Sequence, residues 1–398
     1  MESCQKLHVL QILEPGKDGV LRHVEGLCDY LLSQDVKLSL AYSDVRASDR
    51  LLPLVRKIED SGSRTLNLRT GNVPQLRDIR AFLRLLRLCR NELPHILHCH
   101  SSKAGALTKG LRLAGVRTPI VYTPNAYFGM GKRPGPAVAF FNGIEHLLGQ
   151  CGHTINVSSD EARFARDKLG VSASQQSMIY NAIDMQRYTA PSEAERVNAR
   201  KVFGIPRDAV VVGCIARVSP QKNVDLLYRA IAKAMSKRKD LWLFHVGEGD
   251  IAGVAFEPNV AERICRLSYL SDTSTFFHAI DTFAMSSRYE GLSIAVIEAL
   301  ASDCPLILTD VPGNREFLAL GLTHVWSAPG GDVEKFTTAL LEWVADRPAR
   351  RHSNHRTIAE STFGYEACYG AVLKIYYSLA HISGSSHTLS ASGGPTAK

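Results

Sequence analysis

Two carboxylates, Glu290 and Glu298, sit in the segment Ser287-Arg-Tyr-Glu-Gly-Leu-Ser-Ile-Ala-Val-Ile-Glu298 in an E-x7-E spacing. A strand is expected to end near Met285, a loop to carry Glu290 and Gly291, and an apolar helix to begin near Ser293. Glycine lets a backbone approach a ligand closely, and the unpaired N–H groups at a helix start attract anions. Glu298 lies about 7.5 Å of helical rise beyond Ser293. The two carboxylates could therefore bracket an anion and hold hydroxyl-bearing ends of an extended ligand. Spacing alone also suits a helix-starting acid and a solvated helix glutamate. A second constellation is Gly213-Cys-Ile-Ala-Arg217-Val-Ser-Pro-Gln-Lys222. There a buried strand runs into a loop bearing a guanidinium and an ammonium, the equipment that grips a diphosphate. Its bland reading is a pair of surface cations.

Weaker signals surround these. Gly16-Lys-Asp-Gly19 follows the first expected strand but lacks the third glycine of GxGxxG, and Gly247-Glu-Gly249 is also incomplete. A dinucleotide enzyme would need the full fingerprint. Gly247 at least leaves its strand end open to a ligand. His95, His98 and His100 could suggest a metal, but His98 and His100 flank an expected strand end with no carboxylate nearby, so a metal site is not expected there. The nine cysteines form no CxxC pair and read as reduced thiols, not as a disulfide frame or zinc ribbon.

Two strand–helix series must position these groups. The first has strands expected at Leu7–Leu13, Val36–Ala41, Arg64–Leu68, His95–His98, Ile120–Tyr122 and Thr154–Val157, with a helix near Leu21–Leu32. The second opens at Val210–Ile215, a β-branched run without polar alternation that suits a strand buried on both faces. It continues at Leu241–Val246, Thr282–Met285 and Leu306–Leu308. An α/β protein of two doubly wound domains follows, with ligands beyond the carboxyl ends of the strands. Asn181–Gly204 reads as the connection, Phe363–Leu379 as an aromatic-rich helix, and Ser383–Lys398 as a disordered tail. The 398 residues allow two or three domains, and no apolar run is long enough to span a bilayer. The N-terminus carries no evident signal peptide.

The net charge of +8 is unevenly placed. Residues 1–185 carry 24 basic and 17 acidic side chains, against 23 and 22 in the remainder, so the first half holds +7 and the second +1. An anionic partner facing the first half is implied. Arg77, Arg80, Arg84, Arg87 and Arg90 form one helical stripe opposite Ile79, Phe82, Leu85, Leu86 and Cys89. This is either a solvated face or a contact with a membrane surface. Tyr127-Phe-Gly-Met-Gly-Lys132-Arg133-Pro-Gly-Pro, followed by Phe140 and Phe141, reads as a flexible acceptor loop or a linker.

In this order the motifs resemble those of the retaining glycosyltransferases of family 4. The likeness takes in Gly19, His100-Ser-Ser-Lys-Ala-Gly105, Thr123-Pro-Asn125, Val157-Ser-Ser159 and Asn181-Ala-Ile-Asp184, and spans roughly residues 7–380. It implies a GT-B fold: an acceptor-side Rossmann-like domain over 1–182, a donor domain over 183–362 and a helix crossing back over 363–382. By resemblance Arg217 and Lys222 would bind the diphosphate and stabilise the leaving nucleotide. Glu298 would take the ribose hydroxyls, and Glu290 and Asn125 would sit by the donor sugar. Gly291, Leu292 and Ser293 would offer backbone N–H groups, and Gly19 and Gly247 would allow close approach of the nucleotide. The family commonly has histidine where Asn125 stands, and glycine where Ala182, Asn223 and Asp303 stand. His100, Lys132, Arg133, Arg80, Arg84 and Arg87 are candidates for acceptor or membrane contact. No D-x-D metal-holding triplet occurs, so neither metal nor cofactor is expected. The implied activity is transfer of a hexose from a nucleoside-diphosphate sugar to a glycan, lipid-linked, in bacterial exopolysaccharide, capsule or lipopolysaccharide assembly. The expected location is the cytoplasmic face of the cell membrane, bound peripherally, with no nucleic-acid partner. A GT-B nucleotide-sugar epimerase and a catalytically silent nucleotide-sugar-binding protein are the alternatives.

Overall fold

The computed structural model describes residues 6–71, 75–132, 134–251, 256–346 and 353–381. Seven parallel strands form the first sheet: β1 (His8–Leu13), β2 (Lys37–Tyr42), β3 (Thr65–Asn67), β4 (Ile96–His100), β5 (Ile120–Thr123), β6 (His153–Asn156) and β7 (Gln176–Met178). Their spatial order is β3-β2-β1-β4-β5-β6-β7. Six parallel strands form the second: β8 (Val210–Ile215), β9 (Leu241–Val246), β10 (Ile264–Leu267), β11 (Thr282–Met285), β12 (Leu306–Asp310) and β13 (Val325–Pro329). These lie in the order β10-β9-β8-β11-β12-β13. In each sheet the order reverses beside its first strand, at β1/β4 and at β8/β11. Such switch points open a crevice at the carboxyl ends of the strands, and both crevices belong to the cleft described below.

The central strands are buried because helices cover both faces of each sheet, which explains their unbroken apolar runs. Gly213 in β8 is needed for that covering, since a β-carbon there would come to 2.6 Å of Ile280 and 2.7 Å of Phe276. β7, β10 and β13, absent from the expected strands, are short and lie at sheet edges. Their half-buried, mixed sequences carry little periodic signal.

The connection Asn181–Gly204 contains a helix, Glu193–Val202, started by a reciprocal capping box between Ser192 and Glu195. The expected helix Phe363–Leu379 is split. Phe363 ends a helix that begins at His355, Gly364 adopts extended geometry, and a second helix runs Tyr365–Ala380. Cys368, Tyr369, Val372 and Tyr376 of this helix bury themselves in the first domain's core, against Leu27, Cys28 and Leu31 of the helix Asp18–Ser33. The Tyr369 hydroxyl donates to the carbonyls of His23 and Ala182. The chain thus returns to the domain in which it began.

In the helix Arg77–Glu92, Arg80, Arg84, Arg87 and Arg90 are exposed while Ala81, Leu85, Leu88 and Cys89 are buried. Ile79 departs from the expected inner face: it is exposed, as are Leu76 and Leu83, because the buried stripe runs one position further round the helix. The Arg77 side chain, Arg133 and the tail 383–398 lie outside the described residues. No helix among the described residues is long and apolar enough to cross a membrane.

Candidate active site

A cleft of about 560 Å³ runs between the two domains, lined from one side by Lys17, Gly19, Arg22 and Asn125 and from the other by Arg217, Lys222, Gly247, residues 290–295 and Glu298. Its size suits a small organic ligand, for which sites span roughly 300–1,000 Å³.

On the second domain's side two loops are laced together. Ser286 Oγ donates to the carbonyl of Asn223 at 3.0 Å, Arg288 N to that of Gln221 at 2.8 Å, and Gln221 Nε2 to that of Tyr289 at 3.3 Å. Lys222 Nζ therefore meets both carboxylate oxygens of Glu290, at 2.7 and 2.8 Å, and Ser287 Oγ donates to the same group. An ammonium has three donors, and two serve to hold Glu290. Lys222 and Glu290 are both largely buried, which strengthens their attraction relative to a surface pair. Arg217 lines the cleft beyond the carboxyl end of β8. Asn223 has φ 48° and Asp303 φ 53°, the left-handed region in which Asn and Asp are the best substitutes for glycine. Asp303 also accepts from Ser353 Oγ and Arg356 N, contacts a glycine could not make.

Glu298 is buried and engaged from both domains. Its Oε1 accepts from Arg22 of the helix Asp18–Ser33 and from the Tyr188 hydroxyl at 2.8 Å. Among the described residues, its Oε2 takes only a long contact from Thr273, at 3.4 Å. A carboxylate offers about four lone-pair sites, so Oε2 is the oxygen with capacity for a ligand hydroxyl. Gly291, Leu292 and Ser293 line the cleft at the N-terminus of the helix Ile294–Ala301. Gly247 must be glycine, because a β-carbon would fall 1.9 Å from the Ala216 carbonyl oxygen. Gly19 also lines the cleft, where a β-carbon would stand 3.8 Å from Ile294 Cδ1.

On the first domain's side Asn125 lines the cleft in a turn with φ 55°, followed by Ala126 at φ 95°. The segment after it is docked. Tyr127 and Met130 are buried, and the Tyr127 hydroxyl donates to Asn156 Oδ1 at 2.9 Å. Gly131 packs so closely on Tyr289 of the second domain that a β-carbon would come to 2.8 Å. Lys132 Nζ lies over the Phe128 ring, and burial lowers its pKa. The stretch expected to be a flexible loop is anchored by Tyr127 and Met130, while Phe128, Phe140 and Phe141 are exposed.

His100 is not at the acceptor face. It ends β4 fully buried, with Nε2 against Gln11 Oε1 at 2.8 Å and its ring tilted against that of His98, centroids 4.0 Å apart. His98 is held between the hydroxyls of Tyr376 and Thr123. Burial pulls both imidazoles well below their ordinary pKa, so they pack as neutral rings. Among the described residues no group of three or more His, Cys, Asp or Glu side chains could hold a metal ion. Arg80, Arg84 and Arg87 lie on the outer helix and do not line the cleft.

Two family descriptions match, one over each half: Glycosyltransferase Family 4 over residues 17–187 and Glycosyl transferases group 1 over residues 195–359. The chain belongs to glycosyltransferase family 4. The Escherichia coli UDP-Gal:alpha-D-GlcNAc-diphosphoundecaprenol alpha-1,3-galactosyltransferase is 25% identical over 286 residues, 69% of this chain and 73% of that one. The Rhizobium meliloti lipopolysaccharide core biosynthesis mannosyltransferase LpsB is 26% identical over 215 residues, 51% of this chain and 60% of that one. Among solved structures, Anabaena HepE in complex with UDP and glucose superimposes with a TM-score of 0.75 at 17% identity, covering 94% of this chain and all of that one. The fold of this family 4 member is therefore GT-B, with two facing parallel-sheet domains.

Sequence reasoning passed over Arg22, Tyr188 and Glu161. Arg22 stands three residues after Gly19, close enough to the glycine turn to have been weighed with it. Tyr188 lies in the connection, where no pattern marks it.

Proposed function

We propose that this protein is a retaining, metal-independent hexosyltransferase that moves a sugar from a nucleoside diphosphate to a lipid-linked glycan during bacterial surface-polysaccharide assembly. The observation that carries the reading is the pairing of Lys222 with Glu290, beside Arg217, at the carboxyl end of β8. Cleaving a sugar–phosphate bond leaves an oxocarbenium-like sugar and a diphosphate. Fixed cations at that point lower the barrier because they need no reorganisation as charge develops. Arg217 and Lys222 would supply that charge, Glu298 Oε2 would accept a ribose hydroxyl, and Glu290 and Asn125 would orient the sugar. Asn125 can hydrogen-bond but carries no charge, so it would not act as a proton-transfer group.

The acceptor side accounts for the basic half. Exposed Ile79 and Leu83, with exposed Leu76 at the helix start, accompany exposed Arg80, Arg84 and Arg87 on one helix. Apolar wedges with flanking cations suit the cytoplasmic surface of an anionic membrane, where a lipid-linked acceptor is found. The E. coli relative, named for a diphosphoundecaprenol acceptor, is consistent with this.

The test is a panel of radiolabelled nucleotide-sugars incubated with the protein and membranes of its source. Label should pass from one hexose donor into a lipid-extractable product with the donor's anomeric configuration, undiminished by EDTA. An inverted product, or release of an epimerised free sugar, would overturn the reading. Flotation with anionic liposomes should fall when Arg80, Arg84 and Arg87 are replaced by alanine; unchanged flotation would make that helix an ordinary solvated face.

A further inference from the structure

Asn125 faces the cleft from a turn that is unfavourable in itself. Two successive residues other than glycine have positive φ, 55° at Asn125 and 95° at Ala126, and the second carries a β-carbon without any compensating side-chain hydrogen bond. Such a turn persists only where its surroundings impose it. The group beneath it is Glu161, from the first turn of the helix Ser159–Leu169. Its Oε1 accepts from Ala126 N at 2.6 Å and its Oε2 from Val157 N at 2.9 Å. On the opposite side the second domain closes on the same atom. A β-carbon at Gly291 would stand 2.6 Å from Glu161 Oε1, 3.0 Å from Ala126 N and 3.2 Å from the Asn125 carbonyl carbon.

We propose that Glu161 is a positioning residue for the transfer reaction: its carboxylate imposes the Asn125–Ala126 turn and seats it against Gly291. The acceptor-side turn and the loop that carries Glu290 thereby meet in one register. This rests on the reading of the cleft as a sugar-transfer site. Glu161 touches neither substrate nor reacting atoms; it acts through Asn125.

Both of its oxygens accept from backbone N–H groups, so the ionised form is the one the turn requires. A proton on either oxygen would set a donor against a donor. The carboxylate is fully buried, and burial is the main reason its pKa is raised to about 7, with Glu145 and Glu316 raising it further and the two backbone N–H groups opposing. Glu145 faces it from the helix Pro136–Gly149, Glu316 from the helix Asn314–Leu318 and Tyr127 from the turn's own loop, while Asp160, next to it on the helix, is turned to Gly313 N and Arg163, and Glu290 adjoins Gly291. With the folded pKa above the ordinary carboxylate value, the charged form predominates only above about pH 7. The turn should loosen as pH falls through that point.

The experiment compares wild type, E161Q, E161D, N125A and E161Q/N125A with the donor selected by the nucleotide-sugar panel. E161Q should lower kcat by about ten-fold or more while changing donor KM by less than about three-fold. Because Glu161 acts through Asn125, the double variant should lose little beyond N125A. The wild-type kcat should show an acid limb near pH 7 that is absent from E161Q. Wild-type kcat in E161Q, losses that multiply in the double variant, or an acid limb that E161Q retains would each overturn the proposal. Should E161Q fail to melt cooperatively, E161D decides. It keeps the charge but falls one methylene short, so kcat should drop with the acid limb preserved, and an undiminished kcat overturns the proposal. If wild type transfers no sugar from any donor, the reading of the site fails and this proposal with it. If wild type transfers and E161Q matches it, only the role of Glu161 fails.

Discussion

Glu290 and Glu298 flank the start of one helix, yet they are held in opposite ways. Glu290 is fixed inside its own domain, by Lys222 and Ser287 on loops that are themselves hydrogen-bonded together. Glu298 is held across the cleft by Arg22, from the helix that opens the first domain. A relative movement of the domains would leave the first cluster intact and break the second. The contrast separates two tasks. The Lys222–Glu290 cluster, proposed to face a diphosphate, is held within one domain, whereas Glu298, proposed to receive a ribose, also reports whether the domains are closed.

The largest effect should come from breaking the cluster within the domain. Lys222→Ala removes both hydrogen bonds to Glu290 and one of the two cations proposed to face the diphosphate. Loss of a single preorganised electrostatic group costs about 10²–10³ in rate, and kcat for sugar transfer should fall by about that much. Small-angle scattering should meanwhile show no change in overall dimensions, because no contact between domains is removed. A variant with kcat within a few-fold of wild type would show that Lys222 does not face the reacting phosphate.

Breaking the bridge across the cleft should do the reverse. Arg22→Ala leaves Glu298 with Tyr188 and Thr273 and removes a buried cation from the domain contact. Donor KM should rise by about ten-fold, equivalent to about 1.4 kcal/mol, with a much smaller change in kcat and an increased radius of gyration in the absence of donor. A fall in kcat at constant KM and constant dimensions would place Arg22 with the catalytic cations and erase the distinction.

How much of this was legible in the sequence follows the same division. The buried central strands announce themselves through unbroken β-branched runs such as Val210–Ile215, and Arg217, Lys222, Glu290 and Glu298 through spacing within single segments. The edge strands β7, β10 and β13 do not, because a strand paired on one side only carries no two-faced apolar pattern. Contacts between segments far apart in the chain are illegible for another reason. Glu161 follows Ser158 in a Ser-x-x-Glu arrangement that reads as a capping box, and Ser158 does cap the helix. The carboxylate, however, goes to Val157 N and to Ala126 N, 35 positions earlier in the chain, a partner no local spacing could name. His100 failed in the opposite sense. A polar histidine at a strand end looked available for an acceptor, but it is buried in the core, where Gln11 on the neighbouring strand pairs with its Nε2.

The smallest effects test backbone strain on the two sides of the cleft. Asn223, beside Lys222, has φ 48°, an angle that asparagine tolerates well. Asn223→Gly should therefore change stability by no more than about 0.5 kcal/mol and leave kcat within two-fold of wild type, about the limit set by so small a local change. Ala126 has φ 95°, where its β-carbon is strained and glycine is not. Ala126→Gly should raise the denaturant midpoint, by about 1 kcal/mol of stability at most. It should also reduce kcat a few-fold, since a turn that is no longer forced has more ways to hold Asn125. Equal responses at the two positions, in denaturant melts and in kcat, would mean that the Asn125–Ala126 turn is no more strained than the loop that carries Lys222. The contrast between the two sides would then rest on Arg22 alone.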